Sequence, residues 1–217
     1  VSTLVSLRRQ TLAAANDGRV AHTLALWALP SGWAARALQR RKGVPYSVWA
    51  LGSDIWSLGR VPLVKCVLRG VIGQAQRRYA DGLQLATDAR ELSGHAFEFL
   101  PSSRRLGRAR MRAVATAPPY RLVFLGRWHP NKGVDLLLDA LALLPADAWA
   151  MVGEVRIAGG GPLEPAVRAR VAELTARGLP VRLDGYLDNA AATDALEASD
   201  FLLLPSRIES IPVIFSD

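Results

Sequence analysis

The sequence predicts an α/β protein made of two lobes, each with a parallel sheet. Short apolar runs alternate with amphipathic runs of about 10–15 residues, which is the pattern of βαβ units. Half of the 217 residues are hydrophobic and 21% are charged, so the chain can bury a core and is not disordered. A basic, proline-flanked stretch at 101–119 has no apolar period and is typical of a domain linker.

In the first half of the chain the pattern is less regular than in the second. Four apolar runs bounded by turn residues predict strands at 20–27, 44–51, 83–86 and 97–100. Three runs with apolar residues at helical spacing predict helices at 33–41, 63–79 and 88–92. Ser31 is the predicted N-cap of the first helix and Gly43 its end, and a loop at 52–62 carries Asp54.

The second half alternates more cleanly. Its predicted strands are 121–125, 155–158, 181–183 and 201–204. Its predicted helices are 134–144, 163–177 and 190–198. The all-apolar run Phe201 to Leu204 predicts a central strand covered on both faces. Ligands of open α/β sheets bind outside the carboxyl ends of the strands, so the loops there are the place to look for chemistry.

The chain is strongly basic, with a net charge of +8 and a pI near 10.5. That balance favours polyanionic partners such as phosphorylated substrates, anionic lipid or nucleic acid. The densest cationic run is Arg104, Arg105, Arg108, Arg110 and Arg112. It is interpreted as a solvated linker, with an anion-facing surface as the alternative. It lacks the interleaved aromatic residues of a nucleic-acid platform, so nucleic acid is not an expected partner.

Cysteine content and hydropathy indicate the compartment. The single cysteine, Cys66, cannot form an internal disulfide, which fits a reducing compartment. No apolar run reaches the roughly 18 residues that a transmembrane helix needs, since Asp135 and Asp139 interrupt the best candidate. We therefore expect a cytoplasmic protein, with peripheral contact at the inner face of an anionic membrane as a further expectation. The chain starts at Val1 without a signal peptide and is expected to be a fragment.

A loop rich in glycine and cations follows the predicted strand 121–125. In residues 126–133, glycines at both ends flank Arg127 and Lys132 just before a helix. Glycine lets the backbone approach a ligand closely, and a helix start offers unpaired N–H groups to an anion. The order Lys-Gly differs from the Walker loop. The loop predicts a diphosphate site, and a basic surface turn is the alternative.

Two further loops occupy equivalent positions. Gly159, Gly160 and Gly161 separate a strand from a helix, which fits a ligand-approaching turn or a plain tight turn. Glu209 follows the predicted strand 201–204, and Asp217 comes eight residues later. These two carboxylates could flank the first turns of a helix near Pro212 and hold two parts of a ligand; a helix-capping network is the alternative.

The three loops together resemble a known family. The run from Tyr120 to Asp217 resembles the nucleotide-sugar-binding domain of the GT-B retaining glycosyltransferases of family 4, the group 1 type. The family pattern is Gly-Arg-x4-Lys-Gly, a Gly-x-Gly-Pro turn, Pro-Ser-x-x-Glu and a Glu-x7-Glu pair. Its counterparts here are Gly126-Arg127 with Lys132-Gly133, Gly159-Gly160-Gly161-Pro162, Pro205-Ser206, and Glu209 with Asp217 in place of the second Glu.

The resemblance implies a role for each matching residue. Arg127 and Lys132 would hold the donor diphosphate, Glu209 would contact the transferred sugar as the catalytic group, and Asp217 the ribose. The glycine turn and Ser206 complete the donor site. In the looser match of the first half, Gly52 and Asp54 lie on the acceptor side, after Leu51 where the family often has a histidine.

The resemblance also implies a domain plan and a reaction. Residues 1–113 would be an acceptor-side Rossmann-like domain that lacks its first strand and loop. Residues 118–217 would be a nucleotide-sugar-binding Rossmann-like domain that lacks its C-terminal part. The expected activity is retaining, metal-independent sugar transfer from a nucleotide-diphospho-sugar to a saccharide or lipid-linked acceptor, in polysaccharide or cell-envelope biosynthesis, without a cofactor.

Two other function classes remain open at this stage. One is an inactive or binding-only remnant of such an enzyme, because the ends are missing and Leu51 cannot transfer a proton. The other is a basic α/β protein that binds nucleic acid, which would show steep salt dependence. On the first of these grounds the short chain is expected to be poorly soluble or to have only trace transferase activity.

Overall fold

The computed structural model describes residues 2–103, 112–212 and 214, and these divide into two compact units. The first unit holds the described residues 2–103, 210–212 and 214, and the second holds 112–209. Each unit contains a parallel four-stranded sheet. The fold is therefore the predicted α/β arrangement with two parallel sheets. Asp217 and Arg104, Arg105, Arg108 and Arg110 of the basic run lie outside the described residues.

The first unit has its strands in sequential order, β1-β2-β3-β4, all parallel. The strands are β1 Thr23–Leu26, β2 Tyr46–Ala50, β3 Arg77–Ala80 and β4 Glu98–Phe99. The helices are α1 Ser2–Ala14, α2 Ser31–Lys42, α3 Ser53–Trp56, α4 Pro62–Gln74 and α5 Leu83–Ser93, with a 3-10 turn at Leu58–Arg60.

Strand β2 is the centre of the first core. Tyr46, Val48 and Ala50 are fully buried against Val71 and Ile72 of α4. Burial raises the pKa of Tyr46 to about 12, and its hydroxyl donates to the carbonyl of Val71. The polar tip of this aromatic residue is thus satisfied inside the core, as buried tyrosines require.

Several predicted elements of the first unit were wrong in type or extent. The predicted helix 63–79 is a helix that ends at Gln74 followed by strand β3, whose two arginines concealed the strand pattern. The predicted strand 83–86 is the start of α5, since Leu85 and Ala89 are buried one turn apart. Ser31 begins α2 without forming a side-chain cap, whereas Gly43 ends it in the left-handed conformation, as predicted.

The second unit has strand order β7-β6-β5-β8, again all parallel. The strands are β5 Tyr120–Leu125, β6 Val152–Ala158, β7 Val181–Gly185 and β8 Phe201–Leu202. The helices are α6 Val134–Leu143, α7 Ala146–Ala150, α8 Glu164–Ala176 and α9 Asn189–Ala198, with a 3-10 turn at Pro130–Lys132. All predicted elements of this half are present with small changes at their ends.

One prediction for the second unit was wrong in position. Strand β8 pairs only with β5 among the described residues, so it lies at an edge and not in the centre of the sheet described here. Phe201 is 49% exposed and packs edge-on against Tyr120 with ring centroids 5.2 Å apart. An all-apolar run indicates a strand, but its place in the order depends on pairing that the run itself does not encode.

Asp200 ties the start of the second unit to its sheet. Its carboxylate accepts from the backbone N–H of Arg121 at 2.8 Å and of Ala115 at 3.0 Å. Arg112 donates to the same carboxylate at 3.1 Å and to the carbonyl of Ala198 at 2.6 Å. The backbone N–H bonds, that of Arg121 above all, lower the pKa of Asp200. Arg112, one member of the basic run, is therefore a structural contact and not a solvated linker residue.

Candidate functional site

Three loops of the second unit meet at the carboxyl edge of its sheet. They follow β5 (126–133), β6 (159–163) and β8 (203–209). Strand β5 lies between β6 and β8, so the carboxyl ends of these three strands are neighbours. This edge is where open parallel sheets bind their ligands.

The β5 and β6 loops interlock around Trp128, which is fully buried. Its backbone N–H donates to the carbonyl of Gly160 at 2.9 Å, and its own carbonyl accepts from Leu163 at 3.1 Å. A side chain is excluded at two positions. A Cβ on Gly159 would lie 1.9 Å from the carbonyl oxygen of Gly126, and one on Gly161 would lie 2.7 Å from that of Trp128. Two of the three predicted glycines are thus required by close backbone approach.

The β8 loop packs on the β5 loop through a third glycine. Gly133 has φ +68, and a Cβ there would lie 2.0 Å from the carbonyl oxygen of Pro205. The N–H of Arg207 donates to the carbonyl of Asn131 at 2.8 Å. The two loops therefore hold each other in place, which is the support that a binding group needs.

Lys132 and Glu209 are brought together by this packing. The Lys132 ammonium forms an ion pair with Oε2 of Glu209, and the Ser206 hydroxyl donates to the same oxygen at 3.4 Å. The side chains of Lys132 and Glu209 keep 38% and 23% of their surface exposed. Both charges remain accessible from solvent, so a ligand with an anionic and a hydroxyl-bearing part could replace their mutual contact.

Arg127 begins the same loop and is exposed. It forms no ion pair with any residue that the structure describes. A guanidinium without a carboxylate partner keeps all its donors for an anion. The neighbouring His129 has a structural task, because its Nδ1 accepts from the N–H of Asn131 at 3.2 Å and caps the 3-10 turn.

Arg207 and Asp135 stabilise the site, and the sequence did not single them out for this. The guanidinium of Arg207 donates to both oxygens of Asp135, at 2.8 and 2.9 Å, and to the carbonyl of Pro130 at 2.7 Å. The Arg207 contact lowers the pKa of Asp135. This bidentate pair joins the β8 loop to the start of α6; its partners are 72 residues apart, and no local motif signals it.

The first unit contains the two acceptor-side predictions, Gly52 and Asp54. Gly52 has φ +109, a conformation that favours glycine, and precedes α3. Asp54 is fully buried, and its carboxylate accepts from Ala28 N–H at 2.7 Å and Leu51 N–H at 3.3 Å. It therefore joins the loops after β1 and β2. Contact of either residue with an acceptor stays a prediction.

Asp54 gives a pH-dependent expectation for stability. Burial raises its carboxyl pKa, and the backbone N–H bonds oppose the rise. The folded protein then holds the Asp54 proton more tightly than the unfolded chain. Stability from this group is greatest at low pH and decreases as pH rises from about 4 through the folded pKa. We expect Asp54→Ala to lose this dependence and to cost about 1–3 kcal/mol for each donor left unpaired.

Urea unfolding of the wild type and Asp54→Ala at several pH values measures both effects. The matched control is Asp88→Ala, another carboxylate of the first unit, whose oxygens accept from the side chains of Trp56 and Gln84 and are partly exposed. Equal unfolding free energies for wild type and Asp54→Ala across the pH range would contradict the structural role of Asp54.

The sequence of the second unit matches a known family. Residues 119–216 match the family described as Glycosyl transferases group 1. The putative teichuronic acid biosynthesis glycosyltransferase TuaC of Bacillus subtilis (strain 168) is 27% identical over 203 residues, covering 87% of this chain and 48% of TuaC. The chain thus spans about half the length of this curated relative. Residues 119–216 form a group 1 glycosyltransferase domain, and the chain is homologous to glycosyltransferases over most of its length.

Solved structures show the same fold. The Staphylococcus aureus protein TarM, determined with fondaparinux, α-GlcNAc-glycerol and UDP, superposes with a TM-score of 0.68 at 12% identity, covering 93% of this chain and 41% of TarM. The lipopolysaccharide outer core galactosyltransferase WaaB superposes with a TM-score of 0.64 at 16% identity, covering 98% and 57%. These glycosyltransferases have the GT-B fold, and the two parallel sheets described here match it.

Two searches of the described residues gave negative results. No helix there is both long and apolar enough to cross a bilayer. Within the same residues, no group of three or more His, Cys, Asp or Glu side chains is arranged to hold a metal ion.

Proposed function

We propose that the protein transfers a sugar from a nucleotide-diphospho-sugar to an acceptor, using the three-loop edge of the second unit as its donor site. One observation carries the proposal: Lys132, Ser206 and Glu209 meet at the carboxyl edge of a group 1 domain, beside an unpaired arginine. A cation, a hydroxyl and a carboxylate within reach of one another suit a diphosphate joined to a polyhydroxylated sugar.

The proposed donor is held by residues of all three loops. Arg127 and Lys132 neutralise the diphosphate, and the backbone of Gly159 and Gly161 lets the nucleotide approach. Glu209 accepts from sugar hydroxyls once the diphosphate has taken over Lys132. Asp217 is assigned the ribose by analogy with the family. The donor is proposed to carry uridine, because two structurally similar glycosyltransferases were determined with UDP.

The chemical step requires stabilisation of the leaving group. Negative charge develops on the diphosphate oxygen as the bond to the sugar breaks, and fixed cations lower that barrier without reorganising. We propose that Arg127 and Lys132 supply this charge in place of a metal ion, and that the sugar keeps its anomeric configuration. Turnover should then be unchanged by EDTA, and the product anomer can be read by NMR.

The acceptor is proposed to be a saccharide or lipid-linked saccharide of the cell envelope. The support is the homology to TuaC, which is named for teichuronic acid biosynthesis. Asp54 would act as a positioning residue by holding the loops after β1 and β2, while the Gly52 backbone faces the acceptor. A cytoplasmic location is proposed because Cys66 is free and exposed, which a reducing compartment permits.

Removal of Arg127 should weaken binding of a nucleoside diphosphate. A charge-assisted contact contributes roughly 1.5–3 kcal/mol, so we expect Arg127→Ala to bind UDP about tenfold or more weakly. Isothermal calorimetry measures this directly. Arg168→Ala is the matched control, since Arg168 lies exposed on α8 and pairs only with Glu164 among described residues. Equal affinity of Arg127→Ala and the control would remove Arg127 from the site.

A further inference from the structure

The first unit has a one-sided charge distribution that the donor site does not use. Residues 1–80 contain only two acidic residues, Asp17 and Asp54. Asp17 pairs with Arg19 at 2.7 Å, and Asp54 is buried. The surface built from this stretch therefore carries cations without carboxylates to neutralise them. Helices α1, α2 and α4 lie within it and pack together through α2.

These three helices share one composition. None of them contains an acidic residue. Helix α2 ends in Arg40, Arg41 and Lys42, and α4 carries Lys65 and Arg69. Among the described residues, none of these five forms an ion pair with a carboxylate. A cationic surface of this kind lowers the energy of an anionic partner of matching extent.

An apolar groove opens on the same helices. It encloses about 410 Å³ and is lined by side chains of α1, α2 and α4, among them Leu4, Trp33, Leu63 and Val67. Leu63 is 83% exposed and Leu4 is 45% exposed. Large aliphatic side chains held this far into solvent mark a contact surface, because monomeric proteins rarely leave such groups clustered.

A cluster of four arginines adjoins the groove. Arg8, Arg36, Arg40 and Arg41 line a cavity of about 190 Å³ with Trp33, which also lines the apolar groove. The Arg8 guanidinium lies 5.4 Å from the Trp33 ring centroid. Trp33 is thus the boundary between a cationic cavity and an aliphatic groove, and the two form one amphipathic face.

We propose that this face, formed by α1, α2, α4 and the turn Leu58–Arg60, docks on a bilayer that contains anionic lipid. The arginine cluster binds lipid phosphates while Leu4, Leu63 and Val67 enter the acyl boundary. Trp33 has the position that tryptophan takes at membrane interfaces. A free phosphate would leave the groove empty, and a nucleic acid would meet aliphatic residues where its bases need aromatic platforms.

Vesicle sedimentation of the whole chain tests the docking face. The probes are vesicles of phosphatidylcholine alone and of phosphatidylcholine with about 30% phosphatidylglycerol. We expect binding only to the anionic vesicles, weakened by salt. Arg40→Gln with Arg41→Gln should reduce the partition coefficient about fivefold for each cation removed. Leu63→Ser should reduce it roughly tenfold, because the exposed leucine no longer enters the apolar layer.

The matched control removes the same charge from the other unit. Arg168→Gln with Arg170→Gln changes two exposed arginines of α8 and should leave vesicle binding nearly unchanged. Circular dichroism verifies that all variants are folded. Equal losses in the α2 and α8 variants, or unchanged binding in Leu63→Ser, would overturn the proposal. So would absence of vesicle binding in a chain that self-associates through Leu63 or binds single-stranded RNA. None of these readouts depends on sugar transfer.

Discussion

Glu209→Gln should bind UDP at least as tightly as the wild type and yet lose most sugar transfer. In the ligand-free structure the Lys132 ammonium is paired with the Glu209 carboxylate. A diphosphate must compete with that carboxylate for the same cation. Replacing Glu209 with the neutral amide removes the competitor, so UDP affinity should stay equal or rise. The sugar loses its charged acceptor, and transfer should drop about 10²–10³-fold.

The opposite split is expected for the partner residue. Lys132→Ala should weaken UDP binding about tenfold or more, since it removes a charge-assisted contact to the diphosphate. Calorimetry with UDP and nucleotide-release assays with UDP-sugars measure binding and turnover separately. If Glu209→Gln and Lys132→Ala lost UDP affinity to the same degree, the ion pair would be a structural contact and Glu209 would have no separate role toward the sugar.

Gly159→Ala should have the largest effect on the fold of the second unit. Gly159 has φ +142, a region that is essentially restricted to glycine and costs about 1–3 kcal/mol for other residues. Its Cβ would also lie 1.9 Å from the carbonyl oxygen of Gly126, which is backbone and cannot move alone. We expect a loss above about 3 kcal/mol in unfolding free energy, together with loss of UDP binding.

Gly160→Ala is the control for this substitution. A Cβ at Gly160 has no heavy atom within 4 Å, and its φ is not in the strained range. Its unfolding free energy should stay within about 1 kcal/mol of the wild type, measured by urea denaturation. Similar destabilisation by both alanines would show that the glycine turn tolerates a side chain at neither position, contrary to the contacts around Trp128.

The sequence predicted the second unit well because its signals are local. Strand, glycine loop and helix alternate at regular spacing, and Arg127, Lys132 and Glu209 each follow a strand that the apolar pattern identifies. Parallel strands place such loops at one edge, so the meeting of Lys132 with Glu209 could be anticipated without a structure.

The rest depends on contacts between distant residues. The edge position of β8 follows from its pairing with β5, and an all-apolar strand does not encode that pairing. Trp128 reads as one aromatic residue in a loop, yet it is the buried anchor of two loops. In the first unit, the arginines of β3 concealed a strand because their aliphatic stems can cover a sheet that their charges do not reveal.

Nucleotide release from UDP-sugars by the chain and its Lys132→Ala variant tests the proposed donor site most directly. The proposed function requires that the wild type bind the donor and release UDP. Release should be at least about tenfold slower in Lys132→Ala, because the leaving diphosphate loses a fixed cation. Binding of UDP-sugar without release would identify a binding-only relative. Absence of both, in a folded chain offered a panel of UDP- and other nucleotide-sugars, would contradict the donor site assigned to Arg127, Lys132 and Glu209.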